Sequence, residues 1–193
     1  MKKTIENLSK AFAGESQARN RYNMYSSIAN KEGFLHIARM FDEIAEQERI
    51  HAKNFYKMLI EVKEKASDTS DAVIIEADVP VKLATTAENL AAAAGGEHHE
   101  NTDLYPSFAD TAEEEGLTDV ARRIRSISKA EEHHEERYLK ALEQVKAKSV
   151  YEKSEKVVWA CSKCGFRHEG TKPPGKCPAC NHPTEYFQSL CSC

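Results

Sequence analysis

One helix face is written twice in this chain, with the same two polar residues set into it each time. Phe34, Ile37, Phe41, Ile44, Glu48, His51, Phe55, Met58 and Val62 step by three and four, the stripe that turns one side of a helix toward a core. The stripe returns 83 residues later (131 − 48) as Leu117, Val120, Ile124, Ile127, Glu131, His134, Tyr138, Ala141 and Val145. The match extends to Gly33 and Gly116, to Ala38-Arg39 against Ala121-Arg122, and to Tyr22 against Tyr105. Such a duplication restricts the fold to two equivalent helix pairs around one core. Burying a carboxylate or an imidazole uncompensated costs roughly 2 kcal/mol or more. A Glu and a His three residues apart lie nearly one above the other, where both reach a single ion.

The other two helical stretches also turn acids inward. Ile5, Leu8, Phe12, Glu15, Tyr22 and Ala29 form the stripe of the first helix, with Thr4 as its expected cap, and the Asn30–Gly33 turn makes the second helix an antiparallel neighbour. The third helix is expected from Ala87, capped by Thr86, with Leu90, Ala93, Glu97, Glu100, Leu104, Phe108 and Ala112 inward. Glu15 matches Glu97 at an offset of 82 and Tyr22 matches Tyr105 at 83, so one residue is inserted between them in the second half. An insertion inside a continuing helix predicts a π-bulge, which would turn Glu100 inward, with Pro106 adding to the distortion.

Residues 66–86 interrupt the helical pattern with Ser67-Asp68-Thr69-Ser70-Asp71 and Pro80. Extended, about 21 residues reach roughly 70 Å, against roughly 45 Å for a 30-residue helix. The segment can therefore run the length of a bundle and set the third helix parallel to the second, bringing the acids of both halves to one central point. The expectation is a mainly α chain: a four-helix bundle over residues 1–148 with a long crossover, a lysine-rich linker at 149–156, and a small β module at 157–193.

That last segment holds all six cysteines, the only Trp and four of the six prolines. Cys161-Ser-Lys-Cys164 and Cys177-Pro-Ala-Cys180 make two Cys-x-x-Cys turns, which together form a tetrahedral four-thiolate site. Trp159, Phe166, Tyr186 and Phe187 would supply its small core. By spacing alone the site suits zinc or iron equally; beside a redox-active bundle, iron is the better choice because zinc has no redox chemistry. Cys191 and Cys193 are expected to be incidental tail thiols.

The bundle interior thus gathers Glu15, Glu48, His51, Glu97, Glu100, Glu131 and His134. Five carboxylates carry −5, and two divalent cations bring +4. Carboxylate with imidazole suits iron or manganese, and an acid from each of two helices plus Glu-x-x-His from two others is the ferritin-like dimetal pattern. Tyr22 and Tyr105 are candidates to orient these ligands from behind. His98, His99 and His133 point elsewhere by helical phase, and His36, His168 and His182 read as surface residues.

Net charge is −4, with +2 on residues 151–193 (six Lys or Arg, four Asp or Glu) and so −6 before them. This argues against a nucleic-acid partner. No apolar run approaches a membrane span and the N-terminus does not read as a signal sequence, so a cytoplasmic protein is expected.

Gly14-Glu15-Ser16, Glu48-Arg49-Ile50-His51, Gly96-Glu97-His98-His99-Glu100 with Tyr105-Pro106, Glu131-Glu132-His133-His134 and the four-cysteine tail together closely resemble the rubrerythrin family, over essentially the whole chain. The resemblance implies a ferritin-like di-iron peroxidase that reduces hydrogen peroxide in oxidative-stress defence, fed with electrons through a rubredoxin-like Fe(Cys)4 site. It implies Glu48 and Glu131 as bridges, Glu15 and Glu97 as terminal ligands, His134 on the second iron, and Glu100 and His51 as alternative ligands to the first. An external donor such as rubredoxin or an NAD(P)H-dependent reductase, and a homodimer or higher assembly with head-to-tail electron transfer, are expected. The competing readings are a ferroxidase or iron-storage protein, which needs no attached donor, and a structural zinc bundle without turnover.

Overall fold

In the computed structural model, which describes residues 1–190, the first half of the chain is a helical hairpin, α1 (Lys2–Lys31) and α2 (Leu35–Lys65). The second half repeats it as α3 (Thr86–His99), α4 (Tyr105–Glu114) and α5 (Thr118–Lys146). Cys191 and Cys193 lie outside the described residues. Gly33 and Gly116 close the two hairpins with φ of +84° and +79°, a left-handed conformation that only glycine adopts without strain. Between α3 and α4 the residues Glu100–Leu104 form a π-helical turn, where the one-residue insertion predicted it.

The duplication also fixes how the halves meet. Glu32, at the end of α1, accepts a hydrogen bond from the Thr86 N–H that opens α3 at 3.1 Å. Its counterpart Glu115, just past α4, accepts from the Thr4 N–H at 3.0 Å and the Thr4 hydroxyl at 2.6 Å, and pairs with the N-terminal amine at 2.9 Å. A carboxylate at a helix N-terminus satisfies free N–H groups and complements the helix dipole. Thus α3 starts where α1 ends and α4 ends where α1 starts, the antiparallel arrangement that a crossover running the bundle's length requires.

These contacts correct both expected caps. Helix α1 begins at Lys2 with Met1 as N-cap and no cap from a local side chain; Glu115 of the other half supplies the acceptor, a long-range partner no local pattern encodes. Helix α3 is capped by Thr85, not Thr86, in a capping box with Glu88.

The apolar stripes pack into two clusters along the bundle axis. One contains Ile5, Leu8, Phe55, Met58, Phe108 and Ile124; the other contains Tyr22, Tyr25, Ile37, Phe41, Leu90 and Tyr138. The acids lie between them. No helix among the described residues is long and apolar enough to cross a membrane.

After the bundle, β1 (Val157–Cys161) pairs antiparallel with both β2 (Arg167–Gly170) and β3 (Phe187–Ser189), with Trp159 opposite His168 on one side and Ser189 on the other. Trp159 and Phe187 are fully buried beside Cys161 and Cys177, and the Trp159 indole donates to the Gly170 carbonyl at 2.9 Å. The lysine-rich stretch before it is not a free tether. Val150 is buried against the bundle, the Tyr151 hydroxyl donates to the Gly33 carbonyl at 2.7 Å, and Arg39 donates to Gln188 at 3.2 Å. The β module therefore sits on the α1–α2 turn. This contact corrects the reading of His36 as a surface residue: its ring is half-buried against Tyr151, and burial, with Arg39 and Lys153 nearby, pushes its pKa down to about 4. His182 likewise packs on the Tyr186 ring at 4.6 Å.

Against the opposing pull of burial, the bonds from Thr4 and the terminal amine hold the Glu115 pKa down to about 2, from 4.5. A depressed carboxylate stabilises the fold above its unfolded pKa and loses that contribution as pH falls toward its folded pKa. Replacing Glu115 with Ala is expected to destabilise the metal-loaded chain by about 1 kcal/mol at pH 7. Urea unfolding should show the difference from wild type shrinking as pH falls from 4.5 toward 2.

Candidate metal centres

Glu15 comes from α1, Glu48 and His51 from α2, Glu97 from α3, and Glu131 and His134 from α5. All but His51 are buried; its side chain keeps 12% of its exposure. Their potential ligand atoms fall into two overlapping groups, Glu15, Glu48, His51 and Glu131, and Glu48, Glu97, Glu131 and His134, each lying within 4.8 Å of one another. Glu48 and Glu131 belong to both. Glu100 belongs to neither: it sits half-buried on the π-helical turn, and desolvation with the charges of Glu97, Glu131 and Glu48 raises its pKa well above the usual carboxylate range.

The contacts inside this cluster are close but are not all hydrogen bonds. His134 Nδ1 lies 2.8 Å from Glu131 Oε2 and 3.1 Å from Glu48 Oε1, yet Nδ1, both Glu131 oxygens, Glu48 Oε1, Glu97 Oε2 and Glu15 Oε2 have no hydrogen-bond partner. Each such buried group costs about 1–3 kcal/mol if unsatisfied. Carboxylate oxygens that crowd around two imidazole nitrogens, many of them without a hydrogen-bond partner, fit divalent cations, and the Glu/His groups fit a di-iron site.

Behind the ligand atoms, hydrogen bonds cross between the halves. The Tyr22 hydroxyl donates to Glu97 at 2.6 Å and the Tyr105 hydroxyl donates to Glu15 at 2.5 Å. Each tyrosine occupies one oxygen of a carboxylate from the other half and leaves the second oxygen without a partner. Gln47, which the periodicity did not single out, takes the Nε2–H of His134 on its side-chain oxygen at 2.9 Å, so that Nδ1 faces the cluster and would offer its lone pair to a metal once its proton is displaced. Its counterpart in the duplication is Ala130 (47 + 83), which cannot do the same for His51. His51 instead borders a groove between α2 and α5 lined by Asn54, Met58, Ser126 and Ala130. Comparing the copies at the residue before each Glu would have found this asymmetry.

The charges at this spacing cannot all keep their solution pKa values. Burial pushes Glu97 up to about 7 and, with Glu131 and Glu48, drives Glu15 well above the usual range. Although burial alone would raise it, Glu48 is held to about 2 by His134 and His51. Although burial pulls the imidazoles down, the carboxylates lift His51 up to about 9 and His134 up to about 12.

In the β module, Cys161 Sγ lies 3.7 Å from Cys180 Sγ and Cys164 Sγ lies 3.6 Å from Cys177 Sγ. A disulfide needs about 2.05 Å. A tetrahedron with metal–sulfur bonds of about 2.3 Å has edges of about 3.8 Å, so the four thiols fit one metal ion. Although burial would raise it, backbone N–H groups of Lys163 and Cys164 bring Cys161 down to about 7. Cys164 and Cys180 are the more exposed pair.

The family model for rubrerythrin matches residues 6–142, and the model for the rubredoxin-like domain of rubrerythrin matches residues 159–188. The chain belongs to the rubrerythrin family. It is 51% identical over 188 residues to Rubrerythrin-1 of Clostridium acetobutylicum, covering 97% of this chain and 94% of that one. It is 45% identical over 188 residues to rubrerythrin of Nitratidesulfovibrio vulgaris, with the same coverage. Among solved structures, fully reduced, all-ferrous nigerythrin superposes with a TM-score of 0.63 at 30% identity, covering 97% of this chain and 86% of that one. A Desulfovibrio desulfuricans bacterioferritin shares the fold with a TM-score of 0.64 at 24% identity, covering 75% and 81%. The four-cysteine cluster fits a rubredoxin-like Fe(Cys)4 centre. Family membership supports a di-iron protein of oxidative-stress defence.

Metal binding must displace the protons that otherwise balance this cluster. Titrating the chelated chain with ferrous iron at pH 7 should release two or more protons, counted by calorimetry in buffers of differing ionisation enthalpy. Imidazoles with raised pKa stabilise the chelated chain fully below 6.5 and lose that contribution as pH rises through 9 and toward 12. Its melting temperature is therefore expected to fall between pH 6.5 and 9 while that of the iron-loaded chain holds.

Proposed function

We propose that this chain is a non-haem di-iron peroxidase that reduces hydrogen peroxide to water with electrons supplied through its own Fe(Cys)4 centre. The observation that carries this reading is the presence, in one chain, of a buried site for two cations and a four-thiolate site whose chemistry with iron is electron transfer. A ferroxidase or storage role would need only the first. The overall change is H2O2 + 2 H⁺ + 2 e⁻ → 2 H2O, and the pair of irons, when bound, supplies the two electrons and the Lewis acidity that weakens the O–O bond.

The chain's own residues divide the rest of the task. Glu48 and Glu131, which belong to both ligand groups, would hold both metals, Glu15 and Glu97 would hold one each, and Tyr105 and Tyr22 keep those two carboxylates oriented. Gln47 fixes His134 with Nδ1 inward, which makes it a permanent ligand. His51, which shares a groove with Ala130, has no such holder, and Glu100 sits on the π-turn within range of the charges of Glu97, Glu131 and Glu48. That difference would make His51 and Glu100 alternative ligands to the first metal, one a neutral imidazole and the other a hard, charged carboxylate. His51 is also the ligand nearest solvent, so the groove at its edge is the proposed way in for peroxide.

Electrons are proposed to arrive from an external donor, such as rubredoxin or an NAD(P)H-dependent reductase, and to cross between subunits of a homodimer or higher assembly. The β module rests on the α1–α2 turn, and Gly33 is fifteen residues from Glu48, roughly 22 Å along α2. Transfer weakens steeply over such a distance, so a neighbouring chain's module is the better donor.

Stopped-flow mixing of the anaerobically reduced protein with hydrogen peroxide should reoxidise the bundle and the Fe(Cys)4 centre far faster than dioxygen does, with two electrons consumed per peroxide. Faster oxidation by dioxygen, with release of ferric iron, would support the ferroxidase instead. Co-refolding a Cys161→Ser chain with a Glu48→Ala chain should restore donor-dependent peroxidase activity, with mixed dimers confirmed by mass. Inactive mixed dimers would exclude transfer between subunits.

A further inference from the structure

Helix α5 carries two polar residues that α2, its copy, lacks. Ser128, Glu131 and Glu135 lie at i, i+3 and i+7, one above another on a single helix face. Their counterparts 83 residues earlier are Ala45, Glu48 and Ala52. The metal-binding acid is kept in both copies, while the positions on either side of it are alanine in one and polar in the other. In the first half both alanines are buried, and α1 runs as unbroken α-helix from Lys2 to Lys31. The second half has both the polar pair and the inserted residue, and the two features meet.

Asn101 is the meeting point. The Ser128 hydroxyl donates to the Asn101 main-chain carbonyl at 3.1 Å, and the Asn101 side-chain amide donates to Glu135 Oε2 at 2.8 Å. Glu135 Oε1 lies 3.0 Å from His98 Nδ1, so one carboxylate spans the end of α3 and the start of the π-turn. Helix α5 thus grips Asn101 by its backbone and its side chain at once. The turn these bonds hold is the less common one: it pairs residues five apart rather than four, as the Tyr105 N–H does in reaching back to the Glu100 carbonyl. Glu100 adjoins Asn101 in that turn. Among the described residues, no hydrogen bond or ion pair holds its carboxylate, although the charges of Glu97, Glu131 and Glu48 are within range. Its placement therefore depends on where the turn sets its backbone.

We propose that Ser128 and Glu135 are positioning residues for Glu100: by holding Asn101 from the helix that also carries Glu131, they fix the π-turn and keep the Glu100 carboxylate within reach of the first metal. The proposal rests on the reading of Glu100 as an alternative ligand to that metal and is independent of the peroxidase assignment. Because both grips and Glu131 share one face of α5, the spacing between Glu100 and an acid common to both ligand groups is set by a single rigid element. Alanine at both positions, the arrangement of the first copy, would leave the turn with neither hold.

The test uses the full-length, iron-loaded protein and reads the reduction potential of the bundle irons by spectroelectrochemical titration, with helicity and iron content confirmed for every variant. A hard, anionic carboxylate stabilises ferric over ferrous iron, so withdrawing Glu100 raises the potential. Ser128→Ala/Glu135→Ala should move the ferric–ferrous balance about tenfold toward ferrous, a rise of about 59 mV, with the Fe(Cys)4 potential unchanged. If that chain fails to load iron, Ser128→Ala alone should give a shift of about threefold in the same direction. Glu135→Gln retains an oxygen that accepts from Asn101 and should stay close to wild type. In a Glu100→Gln background the same alanines should shift the balance by less than about twofold, because the carboxylate they act through is gone. A wild-type potential in the alanine variants, or an equal shift with and without the Glu100 carboxylate, would overturn the proposal while leaving Glu100 as a ligand. A Glu100→Gln chain with the wild-type potential would overturn the ligand reading and the proposal with it.

Discussion

Five carboxylates brought to the middle of one helical bundle repel each other and lose their hydration together, and the rest of this molecule is arranged around that fact. The apolar clusters above and below could close on themselves only if the acidic layer were neutralised. Protons do this at the cost of severe pKa displacement, with Glu97 moved up to about 7 and His134 up to about 12. Cations do it without leaving lone pairs stranded. A buried charge cluster is poor evidence of stability in itself, but overlapping ligand groups with orphaned oxygens aimed inward are strong evidence of a metal site.

Duplication makes that crowding geometrically tractable. Glu32 caps the second half and Glu115 caps the first, while Tyr22 and Tyr105 each hold a carboxylate of the other half. The halves are thus tied at their ends and at their centre by equivalent bonds, so positioning one metal-binding group positions the other. Equivalence fails in two places. The extra residue forms the π-turn that begins at Glu100, and Ala130 in the place of Gln47 leaves His51 without the hydrogen bond that His134 makes.

Most of this was legible in the sequence because helix periodicity is local and the polar intrusions repeat. Glu15, Glu48, Glu97, Glu131 and both histidines are read from stripe phase, and the π-turn from a count of residues between Glu97 and Tyr105. Helix starts were less legible. Thr4 has the look of a cap, but its N–H is satisfied by Glu115, 111 residues away, and nothing local encodes that. Gln47 was missed for a related reason: it stands one residue off the stripe, and only the location of His134 gives it a role. The docking of Tyr151 on Gly33, which half-buries His36, likewise depends on how the chain packs after it has folded.

The account rests on the bundle and the β module each holding iron, and on Glu48 belonging to both metal groups of the bundle. Iron analysis combined with the visible spectrum of Glu48→Ala tests both points together. Wild type is expected to carry about three irons per chain and to be red from ferric tetrathiolate; the variant should fall to about one iron with the red absorption unchanged. A Glu48→Ala protein that kept all its iron, or that lost the red chromophore while retaining the bundle metals, would contradict the account.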